Sequence, residues 1–298
     1  MKLLIPLFIF ILPIFISPVF VFSGALYANQ SMQVIDDEGT AFVFSAPVKR
    51  IISLAPHVTE LLFAAGASDQ IVGTVTYSDY PEAAKKIPII GSYNRVDMEA
   101  IMAKKPDLIV AWGKGNSRNE LNKLTSLGFK VFISEPKKFT DIAENIRSMG
   151  KFLGTEKYAD LVVNDFLKDL HQLKKDYPPA KPVRVFYQVW NEPLMTISDE
   201  HLIGKVIKFC SGKNIFGDVN NIAPRISIEA VIEKNPDVIV TGMTKDRQLW
   251  LKQWDKWAVI NAVKNKHVYP VDASLVTRQT PRVLQGTRKM CEILNKLR

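Results

Sequence analysis

Side chains that carry metal or redox chemistry are sparse in this sequence. The histidines His57, His171, His201 and His267 lie far apart, and none stands four residues from another to make a helical metal pair. Two cysteines are too few for a four-cysteine zinc site or a disulfide-dense scaffold. Neither a glycine-rich phosphate loop nor a nucleophile elbow occurs. One segment imitates a catalytic site. Trp190-Asn191-Glu192-Pro193 follows an apolar strand expected over 183–189, much as the acid/base residue of a barrel glycosidase follows its strand. That chemistry needs a second carboxylate at another strand end, whereas Glu229, Glu233 and Glu292 fall on expected helices. The chain is therefore read as a non-enzyme, with no catalytic and no metal-ligating residue assigned.

In place of catalytic groups, aromatic and polar residues recur behind apolar strands. Tyr77-Ser78-Asp79-Tyr80-Pro81 follows an expected strand at 71–75, and Gly91-Ser92-Tyr93 follows another at 88–90. Trp112 and Gly113-Lys114-Gly115-Asn116 follow a strand at 108–111. In the second half, Met195 follows 183–189, and Ser274 to Arg278 follow 267–271. Loops behind the strands of open parallel sheets line the ligand crevice. Tyr77, Tyr93 and Trp112, facing a polar loop, suit a bulky, flat, largely uncharged ligand. Taken singly, each aromatic reads equally well as core or rim; their shared position makes them a group. Trp250, Trp254 and Trp257 stand at i, i+4 and i+7, the spacing of one buried helix face rather than a stacking platform.

The elements that must hold these loops occur twice. After a strand–turn–strand over 32–44, short apolar strands at 50–54, 71–75, 88–90, 108–111 and 130–133 alternate with amphipathic helices, and strands at 183–189, 237–241 and 267–271 follow. Such alternation predicts an α/β fold with mainly parallel sheets covered on both faces. Thr59 is expected to cap a helix through Phe63 that stops at Gly66, and 281–297 forms the last helix. The segment 96–110 recurs about 130 residues later as 226–240, sharing Glu, Ala, Lys, Pro, Asp, Ile and Val. Asp97 or Ser227 caps a short helix, Glu99 or Glu229 sits in its first turn, and Pro106 or Pro236 ends it before an apolar strand. Two similar lobes follow from one repeat. Between them Tyr158, Val162, Phe166, Leu170, Leu173 and Tyr177 form a helical stripe stopped by Pro178-Pro179. A helix of about 22 residues is ~33 Å long and can connect two lobes as a stiff strut. The expected organisation is a leader at 1–28, a first lobe at 29–154, a connecting helix at 155–178 and a second lobe at 179–298.

Composition agrees with this organisation. The chain has 298 residues, 47% apolar and 23% charged, which excludes disorder and allows one large or two modest domains. Its net charge of +9 comes from basic residues spread in runs of at most two, a basic surface rather than a nucleic-acid site. Leu3 to Phe22 is almost wholly apolar behind Lys2, and small residues follow through Ala28. This is the pattern of a secretory signal cleaved after Ala25 or Ala28; Pro6, Pro13 and Pro18 weaken the reading as a membrane anchor. Export implies an oxidising compartment, which makes Cys210 and Cys291 a candidate disulfide, the alternative being two buried free thiols.

Several segments resemble the helical-backbone class of bacterial ABC-importer binding proteins, which carry cobalamin, haem and iron-siderophore. Lys49-Arg50-Ile51-Ile52-Ser53-Leu54-Ala55-Pro56, Thr59-Glu60-Leu61 and Pro106-Asp107-Leu108-Ile109 match the class as a whole. Tyr77-Ser78-Asp79-Tyr80-Pro81, Ala111-Trp112 with Gly115-Asn116, Cys210 to Phe216, and Pro281-Arg282 are similar to its cobalamin branch. The resemblance runs from about Gln33 to the C-terminus. It implies a periplasmic monomer that holds a corrinoid in a pocket lined by Tyr77, Tyr93, Trp112, Met195, Ser274 and Arg278. It implies no cofactor beyond the transported ligand, and a permease dimer docked through Glu99 and Glu229. Tyr93 stands where the branch has tryptophan, Met195 where it has phenylalanine, Ala223 where it has tryptophan and Ser274 where it has aspartate; Arg278 matches. Cys210 and Cys291 match the family's disulfide pair. The alternative within the class is a haem or siderophore carrier. Haem would use an axial Tyr77 or His57. A siderophore would want several cleft cations, of which only Arg278 is placed.

Overall fold

A computed structural model describes residues 31–243 and 249–298. The leader segment and its cleavage positions lie outside the described residues. Among the described residues no helix is long and apolar enough to cross a membrane.

The chain opens with an antiparallel hairpin, β1 (Met32–Ile35) and β2 (Ala41–Phe44), turned through Asp36-Asp37-Glu38-Gly39. The first lobe then runs β3 (Ile51–Ser53), α1 (Pro56–Ala64), β4 (Ile71–Gly73), the two-residue strands β5 (Gly91–Ser92) and β6 (Arg95–Val96), α2 (Met98–Lys104), β7 (Leu108–Trp112), α3 (Arg118–Ser126), β8 (Val131–Ser134) and α4 (Phe139–Leu153). Helix α5 (Glu156–Asp176) leads to the second lobe. That lobe runs β9 (Val183–Gln188), α6 (Leu202–Phe209), β10 (Gly212–Asn214), α7 (Ile228–Lys234), β11 (Val238–Met243), α8 (Leu249–Gln253), α9 (Asn261–Lys264), β12 (Val268–Asp272), α10 (Ala273–Thr277) and α11 (Val283–Asn295). The sheets are β4-β3-β7-β8 and β10-β9-β11-β12, both wholly parallel and in the same order. Two similar α/β lobes joined by one long helix are thus present.

Strand residues bury both faces, which is why the runs read as continuously apolar. Ile51, Leu108, Val110, Val185, Tyr187, Val238 and Val240 point into one core that passes through both lobes and includes Val163 and Phe166 of α5. Their neighbours Ile52, Ile109 and Ala111 face a separate core in the first lobe, and Phe186 and Ile239 one in the second.

The repeated segment folds alike in both lobes. The Asp97 carboxylate accepts the Ala100 N–H at 3.0 Å, and the Ser227 hydroxyl accepts that of Ala230 at 3.3 Å. Both helices end on a left-handed residue before the proline, Lys105 at φ +46° and Asn235 at φ +39°. The equivalence extends further than the sequence repeat. Asp107 accepts the Arg50 N–H at 2.9 Å, and Asp237 that of Arg184 at 2.8 Å. The Arg50 and Arg184 guanidinium groups donate to the last-turn carbonyls of Lys104 and Lys234.

Several local expectations are corrected. Helix α1 begins at Pro56, which supplies no N–H and fits the first helical position. Thr59 therefore lies inside the helix, its hydroxyl tied to Ser53 and Thr74 at 2.8 Å each, and caps nothing. Residues 88–90 make one bridge, Thr74 to Ile89, rather than a strand, and β4 is shorter than 71–75. Edge strand β10, with the poor strand formers Gly and Lys, was not expected. On α5 the buried face is Ala159, Val163, Phe166, Leu170 and Leu173, while Tyr158 is exposed. Gly150 of α4 explains the shift: a Cβ there would lie 2.4 Å from that of Ala159, so α5 turns its small residue inward. The tryptophan stripe is broken. Trp250 lies in α8, and Trp254–Trp257 tightens into a 3₁₀ turn that buries Trp254.

Candidate ligand cleft

In each sheet the first and third strands of the lobe, β3 and β7 or β9 and β11, lie side by side. The crevice beyond their carboxyl ends is where open α/β sheets bind ligands. In the first lobe Trp112, the last residue of β7, stands at this crevice with His57 of α1. Their rings meet edge to face at 5.3 Å, and Tyr93 tilts against Trp112 at 6.2 Å. His57 is buried; desolvation holds its pKa at about 4, so the imidazole is neutral at pH 7. Among the described residues the Trp112 indole nitrogen and His57 Nε2 are buried without a hydrogen-bond partner.

The loop after β7 is built around the tryptophan. The Asn116 side chain accepts the Trp112 N–H at 2.6 Å and donates to the carbonyls of Leu54, at 2.9 Å, and Tyr93. One amide thus ties the ends of β3 and β7 to the tyrosine loop. The Tyr77 loop is anchored from below by hydroxyls: Thr59 in α1 donates to Ser78 at 3.1 Å and pairs with Thr74. Tyr77 itself takes a left-handed backbone, φ +67°, and is 75% exposed. A bulky residue bears that conformation only where its surroundings hold it.

The second lobe offers polar groups. Met195, half-buried, bridges Trp190 and Arg225 in the loops after β9. The Ser274 hydroxyl and N–H both donate to Asp272, at 2.7 and 2.8 Å, and start α10. Arg278, just after α10, reaches the first lobe. It donates to Glu60 at 2.8 Å, to Asp79 at 2.7 Å and to the Tyr77 carbonyl at 2.9 Å. Burial opposes the charge of this guanidinium, but the carboxylates of Glu60 and Asp79 outweigh it and raise its pKa. Arg282 adds two bonds to Glu60, at 2.9 and 2.7 Å, and stacks over Tyr80 at 3.9 Å.

Of the residues expected at the cleft, the structure joins Tyr93 to Trp112 and Tyr77 to Arg278. Met195, on a loop after β9, and Ser274, in the first turn of α10 after β12, stand apart from these pairs. Sequence reasoning missed Asn116, Glu60, Asp79 and Arg282 as site-building residues, although Glu60, Asp79, Asn116 and Arg282 all fall within the quoted family motifs. Glu99 and Glu229 are exposed first-turn residues of α2 and α7. The carboxylate of Glu229 is held below its usual pKa by its own backbone N–H and by the Ser227 hydroxyl. Among the described residues no group of three His, Cys, Asp or Glu could hold a metal ion.

Comparison with known proteins agrees with this fold. Residues 51–275 match the family described as periplasmic binding protein. The chain is 36% identical over 250 residues to a vitamin B12-binding protein of Vibrio cholerae serotype O1, covering 83% of this chain and 90% of that protein. The crystal structure of the periplasmic vitamin B12 binding protein BtuF of Vibrio cholerae superposes with a TM-score of 0.80 at 36% identity, over 84% of this chain and 98% of that one. The periplasmic haem-binding protein RhuT from Roseiflexus sp. RS-1 shares the fold, with a TM-score of 0.74 at 20% identity over 84% and 98% of the two chains. The family match takes in both parallel sheets and the Tyr77 loop, and on these grounds the chain belongs to the periplasmic binding protein family.

Proposed function

We propose that this protein captures cobalamin or a related corrinoid between its lobes and delivers it to the permease dimer of an ABC importer. The observation that carries the reading is the pair of rings Tyr93 and Trp112 at the crevice of the first lobe, beside a Tyr77 loop that Arg278 of the second lobe holds. Large flat rings gain most from such a pair, by apolar contact and ring-edge hydrogen bonds. Relatives bearing the name vitamin B12-binding protein support the choice of a corrinoid. Met195 and Ser274 complete the pocket from the second lobe. The chain acts as a monomer in the periplasm, exported by the leader at 1–28, with lobes at 29–154 and 179–298 and the connector at 155–178. Glu99 and Glu229, one per lobe at matching positions, meet cationic groups on the permease.

A haem carrier is the alternative for the same cleft. His57 lies buried beneath Trp112, which leaves the exposed Tyr77 phenol as the axial ligand such a carrier would use. Calorimetry and ultraviolet–visible spectra with cobalamin and then haemin separate the two. One cobalamin bound per chain without added metal is the expected result. No heat with cobalamin together with tight haemin binding would replace the corrinoid by haem.

A further inference from the structure

The ion cluster across the cleft has a burial that surface pairs lack. Glu60 of α1 in the first lobe has a side chain only 2% exposed, and both of its oxygens are taken by arginines of the second lobe. Arg278 and Arg282 flank the buried Gln279 and Thr280 between α10 and α11, so the backbone holds them as a pair. Arg278 also holds Asp79 and the Tyr77 carbonyl, and Arg282 covers Tyr80. Two guanidinium groups thus face two carboxylates, and the cluster is neutral as a unit. Separating the lobes here would leave desolvated charges without partners, which is far costlier than parting an exposed pair.

We infer that Glu60 is a positioning residue: it touches no ligand, but by gripping Arg278 and Arg282 it sets the closure of the cleft and the placement of the Tyr77 loop on which ligand retention depends. A chain whose binding-competent arrangement is only partly populated binds more weakly in proportion. For its ligand arm the inference rests on the corrinoid reading above; its conformational arm does not.

The test is Glu60→Gln, which keeps the side-chain shape and removes the charge. Spin labels on the exposed Lys123 and Lys264, one in each lobe, report the separation without any ligand. The label distance should lengthen and broaden, and cobalamin should dissociate faster, with affinity lower by about tenfold to a hundredfold. Arg282→Gln approaches the cluster from the other lobe, at a side chain 16% exposed, and carries the same test if Glu60→Gln fails to fold. The double variant should be no worse than the more severe single one, because both remove one clamp. Wild-type label distances in a folded variant, or an unchanged dissociation rate for cobalamin that the wild type binds, overturn the inference. Failure of the wild type to bind cobalamin sinks the corrinoid reading and leaves the label experiment decisive for the clamp.

Discussion

Gly115 has no room for a methyl group: a Cβ there would lie 1.8 Å from the Trp112 ring. The glycine and the indole are therefore one feature, a ring packed against bare backbone, and the Asn116 side chain accepts the Trp112 main-chain N–H. Gly115→Ala must push the indole aside, so it should weaken cobalamin binding much as Trp112→Ala does, by about 1–3 kcal/mol if the ring is buried against the ligand. Titration calorimetry on both variants checks this. Unchanged affinity in both would return Trp112 to the role of a core residue. The aromatic types and their place behind strands were legible at this scale. Their support was not, because Asn116 acts through contacts to Leu54 and Tyr93, distant in sequence.

Among the elements, α6 and α11 are joined by the Cys210–Cys291 disulfide, which closes a loop of 81 residues. Constraining the unfolded chain to that extent stabilises the fold by ~4 kcal/mol in the loop-entropy treatment, and removing such bridges typically costs about 2–5 kcal/mol. Cys210→Ala with Cys291→Ala should lower the urea midpoint and steepen the denaturant slope, because the unfolded chain without its cross-link exposes more surface. Thiol titration of unfolded, unreduced wild type should find no reactive cysteine. Free thiols there would mean the bridge does not form in solution. Helix starts at Asp97 and Ser227 were readable because a cap acts within one turn. The start of α1 was misread: a threonine was preferred as cap over a proline that fits the first helical position. Strand β10 escaped because edge strands borrow their order from a neighbour, here β9.

At the scale of the whole molecule, the matching caps, helix ends and Arg–Asp anchors make the two lobes near copies. Glu99 and Glu229 inherit that equivalence as exposed carboxylates on α2 and α7. A first-turn glutamate favours its helix through the dipole whether or not anything binds it. The caps already present make glutamate unnecessary for that purpose alone. Glu99→Ala combined with Glu229→Ala should leave cobalamin affinity intact and abolish uptake. The loss of permease binding should be steepest at low salt, where charge pairing is least screened. Normal uptake by the double variant would reduce both residues to helix starts.

The sequence by itself determined the two α/β lobes, the helix between them and the aromatic loops behind the strands. Each of these rests on periodicity, on caps or on a repeated segment, all of which act over one or two turns or along one strand. Only the tertiary structure decided what Arg278 does. Read in sequence it is a lone cation for a ligand, yet folded it grips Glu60 and the Tyr77 loop from 218 and 201 positions away. Likewise α5 turns Ala159 rather than Tyr158 inward because Gly150 of the neighbouring helix admits only a small side chain. Partners so far apart along the chain meet only when whole lobes pack, and no local pattern of residue types encodes where that packing brings them.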